Sequence, residues 1–379
     1  MKKNILFLLI SFMFIPSISA AELETNAKSA ILIDQNTGTV LYKKNEHERL
    51  PMASMTKIMS LVLIMEQIDN KTLSYDDVVE ISEEASSMGG SQIFLQVGDK
   101  YKVKELLKSV AMASANDAVV ALAEKTYGSK EQFIEAMNKK ARDMGLENTN
   151  FVNVHGLDEE NHYSSAYDMA MMAKELLKYE EIINFTSVYE EYLQKPDGSQ
   201  IWLVNTNKLV RFYEGIDGLK TGYTQNAGYC LTATGKRNNL RLISVVMGEE
   251  TIELRSQDTV KLLNYGFNTY KVNLIKSKDE SLGKVKVEKG KKEYVDVVLT
   301  RDAIELLKVT DKISDYQFEL SLDKIKAPVK KGKVIGNVKI YDSNKKLINE
   351  VDITVMENVQ KASLIDMFIR NIKTTFAFD

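Results

Sequence analysis

Apolar and polar residues alternate through SAILIDQNTGTVLYKKN, residues 29–45, around an Asn36-Thr37-Gly38 turn. A period of two broken by turn residues predicts a β-hairpin. From residue 54 to 179 the apolar period is helical, and helices are expected over 54–67, 103–112, 117–127, 130–144 and 165–179. Ser165 followed by Asp168 reads as the cap of the last of these. Alternation returns in GYCLTATGKRNNLRLISVVMG, residues 228–248, turning at Asn238-Asn239, and a helix is expected over 252–265. Strands at both ends with helices between predict an α+β domain over 22–272, one antiparallel sheet carrying a helical insertion.

The pattern changes after residue 272. KVKVEKG, YVDVVLT, QFELSL and KVIGNVKIYDSNKKLINEVDITV are short alternating segments rich in Val and Lys. They predict a small all-β domain over 273–357 with nothing in it that looks catalytic. In the tail, 358–379, Ile365, Phe368, Ile369, Ile372 and Phe376 form a helical stripe, with Lys361, Arg370 and Lys373 off it. The segment is too short and too charged to span a bilayer, but it suits an amphipathic helix lying in a membrane surface; packing against the β domain is the alternative. At the other end, MKKNILFLLISFMFIPSISAA has the basic start, apolar run and small residues of a secretory signal peptide, 1–21, with cleavage expected after Ala21 or Ala20. An uncleaved anchor is the other reading, and either places the rest outside the cytoplasm.

Composition narrows the function classes. The 379 residues are 44% hydrophobic and 27% charged with a formal net charge of −3, two units more negative without Lys2 and Lys3. No basic stripe or zinc-finger spacing suggests nucleic acid. Cys230 is the single cysteine, which excludes an intrachain disulfide and a cysteine-built zinc site. His47, His155 and His162 form no HExxH pattern and are expected to be surface or structural. No metal or organic cofactor is implied.

One residue does not suit the helix it belongs to. In LPMASMTKIMSLVLIME, residues 50–66, nearly every position after Ser54 is apolar, the signature of a buried helix, yet Lys57 stands in the first turn. A cation there meets the positive end of the helix dipole, where a capping box would place Glu or Gln. Positions i and i+3 share a helix face, so Lys57 can set its amine beside the Ser54 hydroxyl. A serine needs a base to become a nucleophile, and a desolvated lysine near another cation has the depressed pKa that makes it one. S-x-x-K alone also fits a capping serine and a solvent-reaching lysine. Ser114-Ala115-Asn116, between two expected helices, and Lys220-Thr221-Gly222, opening the second strand region, follow it in order. Separately these read as a helix cap and a basic edge strand. Together S-x-x-K, S-x-N and K-T-G are the three elements of the penicillin-recognising serine acyl enzymes.

With LENTNFVNVHGLD, YSSAYDMAMMAKELL and DGLKTGYTQNAGYCLTAT, the mature chain resembles the low-molecular-mass penicillin-binding proteins that are D-alanyl-D-alanine carboxypeptidases. The following β domain and amphipathic tail agree with that family's layout. The resemblance implies the penicillin-binding transpeptidase fold and a peptidoglycan stem peptide ending in D-Ala-D-Ala as substrate. It further implies acylation by β-lactam antibiotics and a membrane surface as partner of the tail. It implies that Ser54 attacks the penultimate D-alanine carbonyl, Lys57 takes its proton and Ser114 relays it to the departing D-alanine. Asn116 would hold Lys57 and the substrate amide, and Lys220 would attract the terminal carboxylate that Thr221 bonds. Gly222 would let the substrate lie against the strand, and the N–H groups of Ser54 and Tyr223 would form the oxyanion hole. Arg255 would help bind the carboxylate. Position 223 is Tyr where some members carry His, but only its backbone is needed. Alternatives on the same scaffold are a β-lactamase, for which Glu159 and Glu160 are poorly spaced, and a transpeptidase or endopeptidase. A non-catalytic wall-binding scaffold is the reading from another class.

Overall fold

The computed structural model describes residues 23–368; the expected leader and the tail positions Ile369, Ile372 and Phe376 lie outside the described residues. The main sheet has five strands: β1 (Ser29–Asp34), β2 (Val40–Lys44), β3 (Ile216–Thr224), β4 (Gly228–Arg237) and β5 (Leu240–Glu249). Their order is β2-β1-β5-β4-β3 with every neighbour antiparallel, so β3 is an edge. Asn238 and Asn239, with φ of 47° and 66°, make the left-handed two-residue connection between β4 and β5 that suits a twisted hairpin. At the first turn Asp34 Oδ2 accepts from both Thr37 N and Thr37 Oγ1 at 2.7 Å.

Strand β1 departs from the simple alternation read in the sequence. All six of its residues are buried, because Ile31 and Ile33 face the helical insertion while Ala30 and Leu32 face a second core under the helix that follows the sheet. A strand covered on both sides is apolar at successive positions.

Among the described residues the long helices are α1 (Lys57–Asp69), α2 (Val103–Ala113), α3 (Asn116–Tyr127), α4 (Lys130–Asp143), α5 (Ala166–Leu176) and α6 (Ile252–Thr269), of which α1, α5 and α6 pack on the sheet. Residues Lys57 to Met65 of α1 are all buried, as its uninterrupted apolar run requires. Ser165 Oγ caps α5 by accepting from Asp168 N at 3.1 Å, while the Asp168 carboxylate turns away to accept from Asn148 N and Thr149 Oγ1. Two short ribbons were not legible in the sequence: Val78–Glu80 with Lys100–Lys102, and Glu190–Gln194 with Gln200–Val204. In the second only Leu193 and Leu203 point fully inward, and Tyr192 and Trp202 are exposed, so no apolar alternation marks it.

Helix α6 runs directly into a strand, Tyr270–Lys276, which pairs with Ala303–Lys308. Beyond it a six-stranded sheet packs a separate core that includes Val287, Val297, Ile340 and Ile353. The chain stays tied to this all-β unit through bridges of Val359 to Val329 and of Lys361 to Gly290. Residues 364–368 are then helical, with Leu364, Ile365 and Phe368 exposed.

Candidate active site

Ser54 does not sit in the first turn of α1. It lies in a separate 3₁₀ turn, Ala53–Thr56, and the α-helix begins at Lys57. Ala53 takes a left-handed φ of 47°, an uncommon conformation for a residue with a Cβ. The turn is fixed from three sides. Thr56 Oγ1 donates to Ala53 O at 2.8 Å. His162 Nδ1 accepts from Val152 N at 3.1 Å, so Nε2 carries the ring proton and donates it to Thr56 Oγ1 at 2.7 Å. Burial pushes the His162 pKa down to about 4, which keeps the ring neutral in this role. Behind the turn, Gly156 has a φ of +95° and lies so close that a Cβ there would stand 2.0 Å from Ala53 O. In front, a Cβ on Gly222 would stand 2.8 Å from Met52 O and 3.2 Å from Met55 N. Gly222 is therefore required for the packing of β3 against the nucleophile turn.

Lys57 is fully buried and its amine meets three oxygens: Asn116 Oδ1 at 2.6 Å, His155 O at 2.7 Å and Ser54 Oγ at 2.9 Å. Asn116 Nδ2 donates to Gly89 O at 2.7 Å, which fixes the amide so that Oδ1 faces the lysine. Asn116 Oδ1 and His155 O can only accept, so each consumes one N–H of Lys57. What remains on the nitrogen faces Ser54 Oγ. In the neutral amine that is the lone pair, and Ser54 O–H donates to it. Burial first, and the Lys220 ammonium second, hold the Lys57 pKa well below the ordinary lysine range.

Ser114 and Asn116 come from the break between α2 and α3. Ser114 ends α2 in a left-handed conformation, φ 61°, and its buried Oγ has no hydrogen-bond partner among the described residues. Asn116 opens α3. The next residue, Asp117, is buried and accepts from Ile93 N (3.0 Å), Leu95 N (3.2 Å) and Ala118 N (2.9 Å). It thereby pins the segment whose Gly89 carbonyl orients Asn116. Burial raises the Asp117 pKa against these bonds.

On the edge strand β3, Lys220 is buried and its amine donates to Thr221 O at 3.1 Å. Burial, then the nearby Arg255 guanidinium, lowers its pKa to about 7. Thr221 Oγ1 donates to Thr206 Oγ1 at 2.7 Å. Tyr223 is exposed and stacks on Tyr229, with ring centroids 4.3 Å apart. Arg255, in the first turn of α6, is buried with Nε unpartnered, and burial lowers its pKa. Beside the neutral Lys57, Lys220 and Arg255 are thus two buried basic groups with no carboxylate in ion-pair contact among the described residues. Buried cations without counter-ions are costly, and they suit a site that receives an anion.

The structure joins Ser54, Lys57 and Asn116 by direct contacts, packs Gly222 on the turn, and links Lys220 to Lys57 and Arg255 through their mutual charge. Sequence reading missed Gly156, the His155 carbonyl, Asp117 and Thr206. One local signal existed: in Asn153-Val154-His155-Gly156 the Asn153 Oδ1 accepts from Gly156 N at 2.7 Å, a side-chain turn that Asn and Gly at this spacing favour.

A serine held against a buried lysine amine, next to an edge strand that carries a second buried lysine, is the arrangement of a serine acyl-transfer site, here on a mixed helix and antiparallel-sheet domain. Comparison with known proteins agrees with that class. Residues 17–251 match the family model described as D-alanyl-D-alanine carboxypeptidase, and residues 270–361 match that of the penicillin-binding protein 5 C-terminal domain. The chain is 45% identical to D-alanyl-D-alanine carboxypeptidase DacF of Bacillus subtilis, covering 98% of each. It is 33% identical to DacC of Escherichia coli over 92% of this chain and 90% of that one. Among solved structures, penicillin-binding protein 5 of Haemophilus influenzae aligns at 32% identity with a TM-score of 0.69, covering 89% of this chain and 98% of its own. The chain belongs to the D-alanyl-D-alanine carboxypeptidase family of serine-type peptidases.

Proposed function

We propose that this protein is a serine D-alanyl-D-alanine carboxypeptidase that trims the terminal D-alanine from peptidoglycan stem pentapeptides. The observation that carries the mechanism is the Lys57 amine, whose two N–H groups are taken by Asn116 Oδ1 and His155 O and whose third direction faces Ser54 Oγ at 2.9 Å. Ser54 Oγ attacks the penultimate D-alanine carbonyl as its proton passes to Lys57. The oxyanion is held by the N–H groups of Ser54 and Tyr223, an arrangement in which each donor is worth about 10²–10³ in rate. The tetrahedral adduct collapses, the C–N bond breaks and the amine of D-alanine leaves with a proton relayed through Ser114. Water then attacks the ester, Lys57 again taking its proton, and Ser54 is regenerated. Lys220, Thr221 and Arg255 receive the terminal carboxylate, and the substrate lies along the edge of β3 as an added strand. A β-lactam presents the same acyl group and carboxylate and leaves Ser54 acylated.

The test is D-alanine release from a soluble peptide ending in D-Ala-D-Ala, together with mass-spectrometric mapping of a penicillin adduct. The expected result is release, with a slowly hydrolysed adduct on the Ser54 peptide. Rapid penicillin turnover would move the protein to the β-lactamases. An adduct without D-alanine release would point to a transpeptidase or endopeptidase, and no adduct to a scaffold.

The expected leader and the amphipathic tail support a location at the outer face of the cytoplasmic membrane. Among the described residues no helix is long and apolar enough to cross a membrane. Leu364, Ile365 and Phe368 are exposed at the start of the terminal helix. Truncation before Lys361 is expected to shift the protein to the soluble fraction with unchanged activity on soluble peptide. A truncated, leader-free form that still sediments with membranes would sink the anchoring role.

A further inference from the structure

The terminal helix leaves the β domain through a rim of lysines. Segments 288–292, 326–331 and 357–362 lie together: Ala327 N donates to Glu288 O at 2.9 Å, Val329 and Val359 exchange both backbone hydrogen bonds, and Ala362 N donates to Lys289 O at 2.9 Å. Ala327, Val329, Val359 and Ala362 turn inward and are buried. Lys326, Lys330, Lys331 and Lys361, which flank these buried positions in the chain, are exposed, as is Lys289. Among the described residues none of these five is in an ion pair. The carboxylates within the three segments are Glu288 and Glu357, and Glu357 is held by Lys292 at 2.6 Å. This concentration of positive charge belongs to a chain whose formal charge is −3. Two residues past Lys361's neighbour Ala362, Leu364, Ile365 and Phe368 stand 81%, 70% and 66% exposed.

We propose that this lysine rim binds the phosphate headgroups of anionic lipids, making with the terminal helix a two-point contact that seats the β-domain end on the membrane; the proposal rests on the membrane-docking reading of the tail. The binding of an amphipathic helix strengthens with electrostatic attraction to anionic lipids, and an apolar element plus a basic patch is one of the two-signal combinations that give stable attachment where a single anchor is marginal. Lysines close to an anionic surface attract it within a Debye length, about 10 Å at moderate salt. Both elements are present here and are contiguous. The rim also explains why an acidic protein would approach an anionic surface by this end.

The experiment is flotation of the full mature chain with vesicles of phosphatidylcholine alone and of phosphatidylcholine mixed with phosphatidylglycerol. It compares wild type with a Lys289→Gln, Lys330→Gln, Lys331→Gln triple variant. Wild type is expected to bind the anionic vesicles at least about tenfold more tightly, with the preference weakening as salt is raised. The triple variant should lose the preference and keep its binding to phosphatidylcholine, and D-alanine release from soluble peptide should be the same for both proteins. Equal wild-type binding to both vesicles, or a triple variant that keeps the preference, overturns the rim and leaves the tail standing. Wild type that binds neither overturns both. Binding to soluble polyglycerol phosphate without a vesicle preference would assign the rim to a wall polymer and overturn the lipid.

Discussion

Lys57→Met is expected to lower acylation of Ser54 by about 10³-fold or more, within and above the usual 10²–10⁴ for removing a general base. Methionine fills the same volume and leaves Ser54 in place, so the loss reports the missing lone pair. The substitution relieves the burial of an amine but leaves Asn116 Oδ1 and His155 O without their donor, and these effects oppose, so the melting temperature should move little. The stopped-flow rate of penicillin acylation checks it, and a variant acylating within tenfold of wild type would remove Lys57 from the role. Lys220→Ala tests the electrostatic half of the same argument. The Lys220 cation disfavours protonation of Lys57. Without it the Lys57 pKa rises, the neutral base is less populated at a given pH, and the acidic limb of the acylation rate moves to higher pH. A limb that stays put or moves down would show that burial alone sets the base.

Gly156→Ala is expected to reduce acylation by at least about 10²-fold, the cost of displacing a catalytic group by roughly 1 Å. The added Cβ would fall 2.0 Å from Ala53 O, 2.4 Å from Ala53 C and 2.9 Å from Ser54 N, all backbone atoms of the nucleophile turn that no rotamer change can move. Its φ of +95° adds strain for any L side chain. Together these should destabilise the fold by about 3 kcal/mol or more. Gly198→Ala is the control: its φ of +87° is similar, but nothing lies within 4 Å of the added Cβ. It should cost about 1 kcal/mol of strain and leave acylation unchanged. If Gly156→Ala acylates at the wild-type rate, the turn is not held from behind as its packing implies.

Much of the site was legible because its parts are local. Ser54 and Lys57 are three residues apart, Ser114 and Asn116 two, and Lys220, Thr221 and Gly222 contiguous, so each set is read within a few residues of the chain. The central hairpins were legible for the same reason, since Asn-rich turns and alternation act over a few residues. The nucleophile turn was less so: the sequence reads as one helix from Ser54 onward, and only the left-handed Ala53 and the packing of Gly156 and Gly222 separate the turn from the helix.

The ribbon at 190–204 escaped because IWLV is apolar at successive positions while one face of it, with Trp202, stays in solvent. The sequence alone determined the order of the elements, the all-β character of the C-terminal region and the residue types of the site. Tertiary structure decided the state of Lys57. Its pKa depends on burial under α3 and the 155–156 loop and on a cation 163 positions away, and its protons are directed by Asn116 and the His155 carbonyl, 59 and 98 residues distant. Periodicity carries no record of such pairings, because desolvation and Coulomb energy depend on distance in space, and only the folded chain sets that distance.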